Sequence, residues 1–256
     1  MKFSVILIGL FTCILASAQV QPIVPAAYYW ETSAAVKTRT GTVKKLFGGS
    51  GAILAEHELN GISLLKGKSI TYQTDASGNE LFFIIKTGPV SVELNGKSSV
   101  LDRGSVIVLL PGDKVIIKND AKKDAEYYQM IYRSIAAPDN ERGKQAGPSF
   151  VMNWNDMVFK PSDKGGVRQL FDRKTTMLSR FDIHVTQLNQ GFNSHPPHTH
   201  KNEEIILMLD GNAEMVIGTD KQKANGGDAV WMGSNVSHNL TNIGTTPCLY
   251  FAIQWN

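Results

Sequence analysis

The chain repeats itself, and the repeat limits the folds open to it more than any other feature. Thr42-Val43-Lys44-Lys45-Leu46-Phe47 aligns with Gly166-Val167-Arg168-Gln169-Leu170-Phe171 at an offset of 124, and the same offset brings Gly67 onto Gly191. Further along the offset becomes 123, with Gly88 on Gly211 and Gly104 on Gly227, so a one-residue insertion or deletion separates the two registers. The chain is therefore two copies of one domain-sized unit. Within the first copy the apolar runs are short: Leu81 to Lys86, Val90 to Leu94, Val106 to Leu110 and Lys114 to Ile117, punctuated by Gly, Pro and Asn. Such spacing predicts an all-β chain of two tandem barrels, each of six to eight strands.

The polar, breaker-rich stretch from Ala136 to Pro148 reads as the linker. The expected units are residues 19–140 and 141–256. Phe150 to Phe159, with Trp154 and Met157, is expected to pack on the second barrel, and Lys160 to Gly166 to form a surface loop. Val167 to Phe171 and Met177 to Leu188 alternate like strands, and Cys248 to Trp255 is the last one. Residues 1–18 read as a signal peptide: Lys2, an apolar run from Val5 to Leu15, and the small-residue site Ala16-Ser17-Ala18. The expectation is an exported protein, periplasmic or extracellular, that begins at Gln19. Cleavage removes Cys13 and leaves Cys248 alone, so an internal disulfide is excluded and stability must come from an ordinary core. A net charge of +3 with dispersed lysines and arginines argues against nucleic acid, and no second apolar run approaches membrane length.

The chemistry is concentrated in Gly191-Phe192-Asn193-Ser194-His195-Pro196-Pro197-His198-Thr199-His200-Lys201-Asn202-Glu203-Glu204, running on to Gly211. His198, His200 and Glu204 share one parity, so on an extended strand their side chains leave one face. Imidazole and carboxylate together suit Zn, Mn, Fe, Ni or Cu better than Ca or Mg. His238 follows the turn-rich Gly233-Ser234-Asn235 and offers a fourth ligand. His195 is expected to be exposed ahead of the prolines. Parity from Glu204 also puts Ile206 and Met208 on the ligand face, and Arg168, Arg173 and Arg180 are candidates to hold a substrate carboxylate. Candidate bases are few: His184 is one, whereas Glu203 should face away from Glu204.

These two segments resemble the paired motifs of the cupin superfamily, a Gly followed by HxHxxxE, six residues and Gly, then a Gly, a turn, His, three residues and Asn. Gly191 fits only approximately, and Gly233 and Asn235 stand where the family usually has Pro and Gly. The resemblance implies a bicupin of two double-stranded β-helix (jelly-roll) barrels. It implies one divalent transition metal ion (Mn, Zn, Fe or Ni) held in the second barrel by His198, His200, Glu204 and His238. In the first copy the equivalent positions are Thr74, Ala76 and Glu80 at one offset, or Asp75, Ser77 and Leu81 at the other, with Val115 or Lys114 for His238. None is histidine, so the first barrel reads as a degenerate, metal-free cupin.

A barrel-held ion with open coordination positions predicts a small-molecule substrate. The expected function is a metal-dependent enzyme that acts by Lewis-acid chemistry on a small carboxylate or sugar acid, with Arg168 and Met208 as substrate-binding candidates. Three alternatives stand beside it: an oxidase or dioxygenase resembling the germin-like manganese proteins, an enzyme resembling ureidoglycine aminohydrolases, and a non-catalytic barrel that binds a sugar or small acid. Homo-oligomers are compatible with the fold.

Overall fold

A computed structural model describes residues 20–76 and 78–256. Residues 1–19, which include the segment read as a signal peptide, and Ser77 lie outside the described residues. The first repeat runs β1 (Ala26–Tyr28), β2 (Ala35–Lys37), β3 (Gly41–Gly49), β4 (Leu54–Leu64), β5 (Ser69–Gln73), β6 (Glu80–Thr87), β7 (Val90–Leu94), β8 (Lys97–Leu101), β9 (Val106–Leu109), β10 (Lys114–Lys118) and β11 (Ala125–Ser134). The second runs α1 (Asn140–Ala146), β12 (Phe150–Met152), β13 (Lys160–Ser162), β14 (Gly165–Arg173), β15 (Phe181–Leu188), β16 (Glu203–Asp210), β17 (Asn212–Ile217), β18 (Asp220–Asn225), β19 (Ala229–Met232), β20 (His238–Asn242) and β21 (Cys248–Trp255).

Each repeat folds one seven-stranded and one smaller antiparallel sheet into a jelly-roll barrel. The sheets are β12-β9-β6-β11-β4-β3-β2 with β5-β10-β7-β8, and β1-β19-β16-β21-β15-β14-β13 with β18-β17-β20. The two large sheets face each other, so their central strands are buried on both sides. That is why β6 and β16 read as continuous apolar runs rather than alternating ones. In β6, Phe82 and Ile84 enter the core between the barrels, while Leu81, Phe83 and Ile85 fill the first barrel. In β16, Ile205, Leu207 and Leu209 face the shared core, and Ile206 and Met208 line the second barrel.

The repeats exchange their leading strands. Ala26–Tyr28 pairs with Trp231 to Ala229 of β19, and Phe150–Met152 pairs with Val108 to Val106 of β9. Phe150 to Met152 thus belongs to the first repeat's sheet, not to the second barrel where the sequence placed it. The unpaired edge of β9 draws the nearest extended segment, and that segment follows the linker. The linker itself carries a short helix. Asp139 caps it, its side chain accepting from Arg142 N at 2.9 Å, and Arg142 then donates to the carbonyls of Thr175 and Thr176. Lys160 to Gly166 is a β13–β14 hairpin rather than a free loop.

Candidate metal centre

The ligand-bearing segments reach the centre by different routes. Glu204 stands near the start of β16, paired with Gln254 on one side and Met232 on the other. His238 opens β20. The His198–His200 stretch is not a strand. Where the first barrel has β5 laddered to β10, the second has only isolated bridges, Asn193 to Thr241 and His198 to His238. Pro196 and Pro197 supply no N–H to a ladder, which accounts for the break. His198 and His238 face each other across that bridge, with N–H to carbonyl distances of 3.3 and 3.0 Å. The side chains converge for a reason other than extended-strand parity: the chain bends at Lys201 and Asn202 before β16 begins.

The turn before His238 explains one departure from the pattern, Asn235 in place of Gly. Asn235 adopts φ 59°, a conformation that Gly supplies freely and Asn tolerates best among other residues. The replacement keeps the turn, and Asn235 N donates to His200 O at 2.8 Å, tying the two motifs together.

The ring centroids of His198, His200 and His238 lie 4.8 to 5.2 Å apart, and their candidate ligand atoms fall within 4.8 Å of one another. Glu204 Oε2 is 3.1 Å from His200 Nε2 and 3.2 Å from His238 Nε2. Both rings have Nδ1 2.8 Å from a backbone carbonyl, that of Asn202 for His200 and of Val236 for His238. A carbonyl only accepts, so each Nδ1 carries a proton and the neutral ring presents its Nε2 lone pair to the centre. His238 Nε2 is buried, and its contact with Glu204 lacks hydrogen-bond geometry. Nitrogen lone pairs turned toward a carboxylate oxygen repel it unless a cation lies among them. The four side chains fit one divalent transition ion by that test.

Burial works to raise the Glu204 carboxyl, but the flanking His200 and His238 outweigh it and hold it at about 2. With no ion among them, a proton on His200 Nε2 is the alternative that relieves the lone-pair repulsion, and the bond it makes to Glu204 raises His200. His198, at the exposed rim, is lowered by desolvation and by the neighbouring imidazoles.

Beside this cluster opens a cavity of about 330 Å³. Its walls are apolar at Ile206, Val167 and Leu240 and polar at Gln254, Asn239 and Thr186. Arg168 does not line it. Its guanidinium stacks between Trp154 and Phe159, 4.4 and 4.6 Å from the ring centres. The parity of β14 turns it outward, because Val167 takes the inward position. Met208 lies in the second barrel's core, next to Tyr250 in register, and does not reach the cavity lining. Arg173 and Arg180 are engaged elsewhere, with the carbonyls of Ala146 and Gly147 and with Asp172 and Asp182.

The sequence reading missed Lys164, among the described residues the one lysine or arginine that lines the cavity. Its Nζ donates to Asn193 O at 3.0 Å and Ser194 O at 3.3 Å and meets no carboxylate. Taking Lys160 to Gly166 as a free loop hid it. His195 is half-buried rather than exposed, its ring 4.1 Å from His198. Glu203 faces away as expected, buried in the shared core, where it accepts from Ala52 N at 2.7 Å and Trp255 Nε1 at 3.3 Å.

Residues 184–254 match the family model for the cupin domain. The match lies within the second repeat, from β15 to β21. A search of curated protein sequences found no match. Solved structures with the same fold include oxalate decarboxylase from Lactobacillus farciminis in a formate complex, with TM-score 0.70 and 12% identity over 91% of this chain and 87% of that one. Protein Ylba from E. coli superposes with TM-score 0.70 and 12% identity over 94% and 96% of the two chains. AerE from Microcystis aeruginosa gives 0.67 and 11% over 91% and 98%. At these identities the likeness is one of fold, and it extends over both barrels, beyond the residues that the family model matches.

Proposed function

We propose that this protein is an exported, metal-dependent bicupin enzyme that acts by Lewis-acid chemistry on a small carboxylate or sugar acid in its second barrel. The observation that carries the reading is the convergence of His198, His200, Glu204 and His238 on one point at the wall of a small cavity whose single lining cation is Lys164. These four side chains would hold one ion, Mn, Zn, Fe or Ni, which would polarise a substrate oxygen. Lys164, held by carbonyls and without a counter-charge, draws an anionic group to the mouth. Ile206, Val167 and Leu240 exclude water from the inner wall, and Gln254 and Asn239 offer hydrogen bonds that fix orientation. The fold-level likeness to an oxalate decarboxylase, a protein of small carboxylates, is consistent with an acid of this size. In the first barrel the positions of Glu204 and His238 are taken by buried Leu81 and Val115, so its part in this reading is structural.

Metal-reconstituted protein incubated with pools of uronates, keto acids, ureido acids, oxalate and catechols, with an oxygen electrode and product detection run together, tests the reading. Turnover in anaerobic buffer is expected. Turnover only with stoichiometric oxygen uptake would replace it with an oxidase, and saturable binding without turnover would leave a binding module. N-terminal sequencing of the secreted protein should begin at Gln19; retention of Met1 would remove export.

A further inference from the structure

We infer that His184 is the proton-transfer residue of the cavity, taking a proton from the carbon next to the carbonyl of a bound 2-oxo acid and returning it. This rests on the function proposed above and adds to it a catalytic group and a substrate class.

The internal repeat supplies the first argument. His184 on β15 pairs in register with Ala252 on β21, and the equivalent pair in the first barrel is Asn60 with Gln129. There the two polar side chains are buried and partnered: Asn60 donates to Glu58 Oε1 at 2.7 Å and approaches Gln129 Oε1 at 3.5 Å. In the second barrel Ala252 stands where Gln129 would, and Ile206 where the first barrel has Phe83, so the space those side chains fill is open. His184 faces that space.

The second argument is the ring itself. His200 and His238 each have one nitrogen fixed by a backbone carbonyl, as metal ligands require. His184 makes no hydrogen bond to any described residue, so both its nitrogens are free to receive and release a proton. Burial lowers its pKa, against the raising effect of the Asp182 and Glu204 charges, which keeps the ring in the neutral form that accepts a proton.

The third is position. β16, β21 and β15 are consecutive in the sheet, so His184 stands two strand spacings from Glu204, roughly 10 Å across the sheet. A three- or four-carbon acid fits between the two. With its oxygens toward the His198–His238 cluster and its carboxylate within the field of Lys164, its C3 lies toward the imidazole. In the step proposed, the C3–H bond breaks, the electron pair moves into the C2 carbonyl to give the enolate, and the proton passes to His184; return of a proton to C3 restores the acid with its C3 hydrogen exchanged.

The test uses full-length Zn-loaded protein with 2-oxobutyrate in D2O, following loss of the C3 proton signal. Wild type is expected to exchange faster than Zn alone, and His184→Gln and His184→Asn to lose at least about 100-fold of that rate, the usual size of acid–base catalysis. Both variants should keep wild-type Zn stoichiometry and bind 2-oxobutyrate within about threefold by calorimetry, which separates a lost base from a lost fold. A readout independent of turnover is the imidazole NMR signal that disappears in His184→Gln: it should shift when 2-oxobutyrate binds. Exchange that survives both variants, or an unmoved His184 signal with the acid bound, overturns the assignment while leaving the proposed metal enzyme standing. Failure of the Zn protein to bind 2-oxobutyrate, or binding without exchange, overturns it too, the former also removing the 2-oxo-acid substrate class.

Discussion

His57 occupies the position that Phe181 holds in the second repeat, and the exchange has a cost that pH exposes. The ring is fully buried among Phe47, Trp231 and Trp255, with neither nitrogen hydrogen-bonded. Burial lowers its pKa from an ordinary 6.5 to about 3. The unfolded chain therefore takes up this proton first as pH falls. The stability that goes with a neutral His57 is complete above pH 6.5 and declines toward pH 3, by up to about 1.4 kcal/mol per pH unit. His57→Phe, which copies the second repeat, should flatten the acid limb of stability between those pH values in urea titrations. The larger ring carries a packing penalty of about 1–3 kcal/mol, so the slope rather than the absolute stability is decisive. An unchanged slope would mean that other groups control acid unfolding. At the metal centre, Glu204→Ala removes the only anionic donor of the cluster. It should weaken metal binding by more than the roughly 10–100-fold typical of residues behind the ligands, measured by competition with a chromophoric chelator. Full metal content in a folded Glu204→Ala protein would place the ion elsewhere.

The strand is the scale at which the sequence was most and least legible. Val90–Leu94 and Cys248–Trp255 are strands with the bounds read from their apolar runs, because apolar runs between turn residues mark strands that are buried. The convergence of His198, His200, Glu204 and His238 was readable because HxHxxxE and a later His are local patterns. Which sheet a strand joins is not local. Nothing in Ala26-Ala27-Tyr28 or Phe150-Val151-Met152 states that each caps the opposite repeat, since that is decided by which edge is left open. Lys164 escaped for the same reason, and His184 could be named as a candidate base but not placed: a lone Lys in a turn and a lone His in a strand acquire meaning only when the barrel closes around them. The exchanged strand also predicts a long-range effect. Ala27 projects into the core of the second barrel, its N–H donates to Gln222 Oε1 at 2.7 Å, and β19, on which it lies, puts Met232 beside Glu204. Ala27→Asp would bury an unpaired carboxylate there. It should lower both the unfolding temperature and the metal affinity, even though every proposed ligand lies in the other repeat. Unchanged values for both would show that β1 is only an accessory to the cupin domain.

For the molecule as a whole, three cores share the work of stability. One fills each barrel, and the third joins them, with Phe82, Tyr128 and Tyr132 from the first repeat against Phe181, Phe251 and Trp255 from the second. The shared core and the exchanged strands mean that neither repeat can unfold without exposing the face of the other, so the chain should melt in one cooperative transition despite its two barrels. The metal cluster lies at the mouth of the second barrel, with His198 exposed and His200 half-buried. None of the three cores includes its side chains, so the apo protein should stay folded. Binding still stabilises by mass action: at free metal 1,000 times Kd the gain is about 4 kcal/mol. At roughly 2–4 °C per kcal/mol for a chain of this size, chelation should lower Tm by about 8–16 °C, and added metal should restore it. Calorimetry with and without a chelator checks both claims. Two resolved transitions would contradict the cooperative unit, and loss of β-sheet circular dichroism on chelation at 25 °C would show that the ion is part of the fold rather than a guest of it.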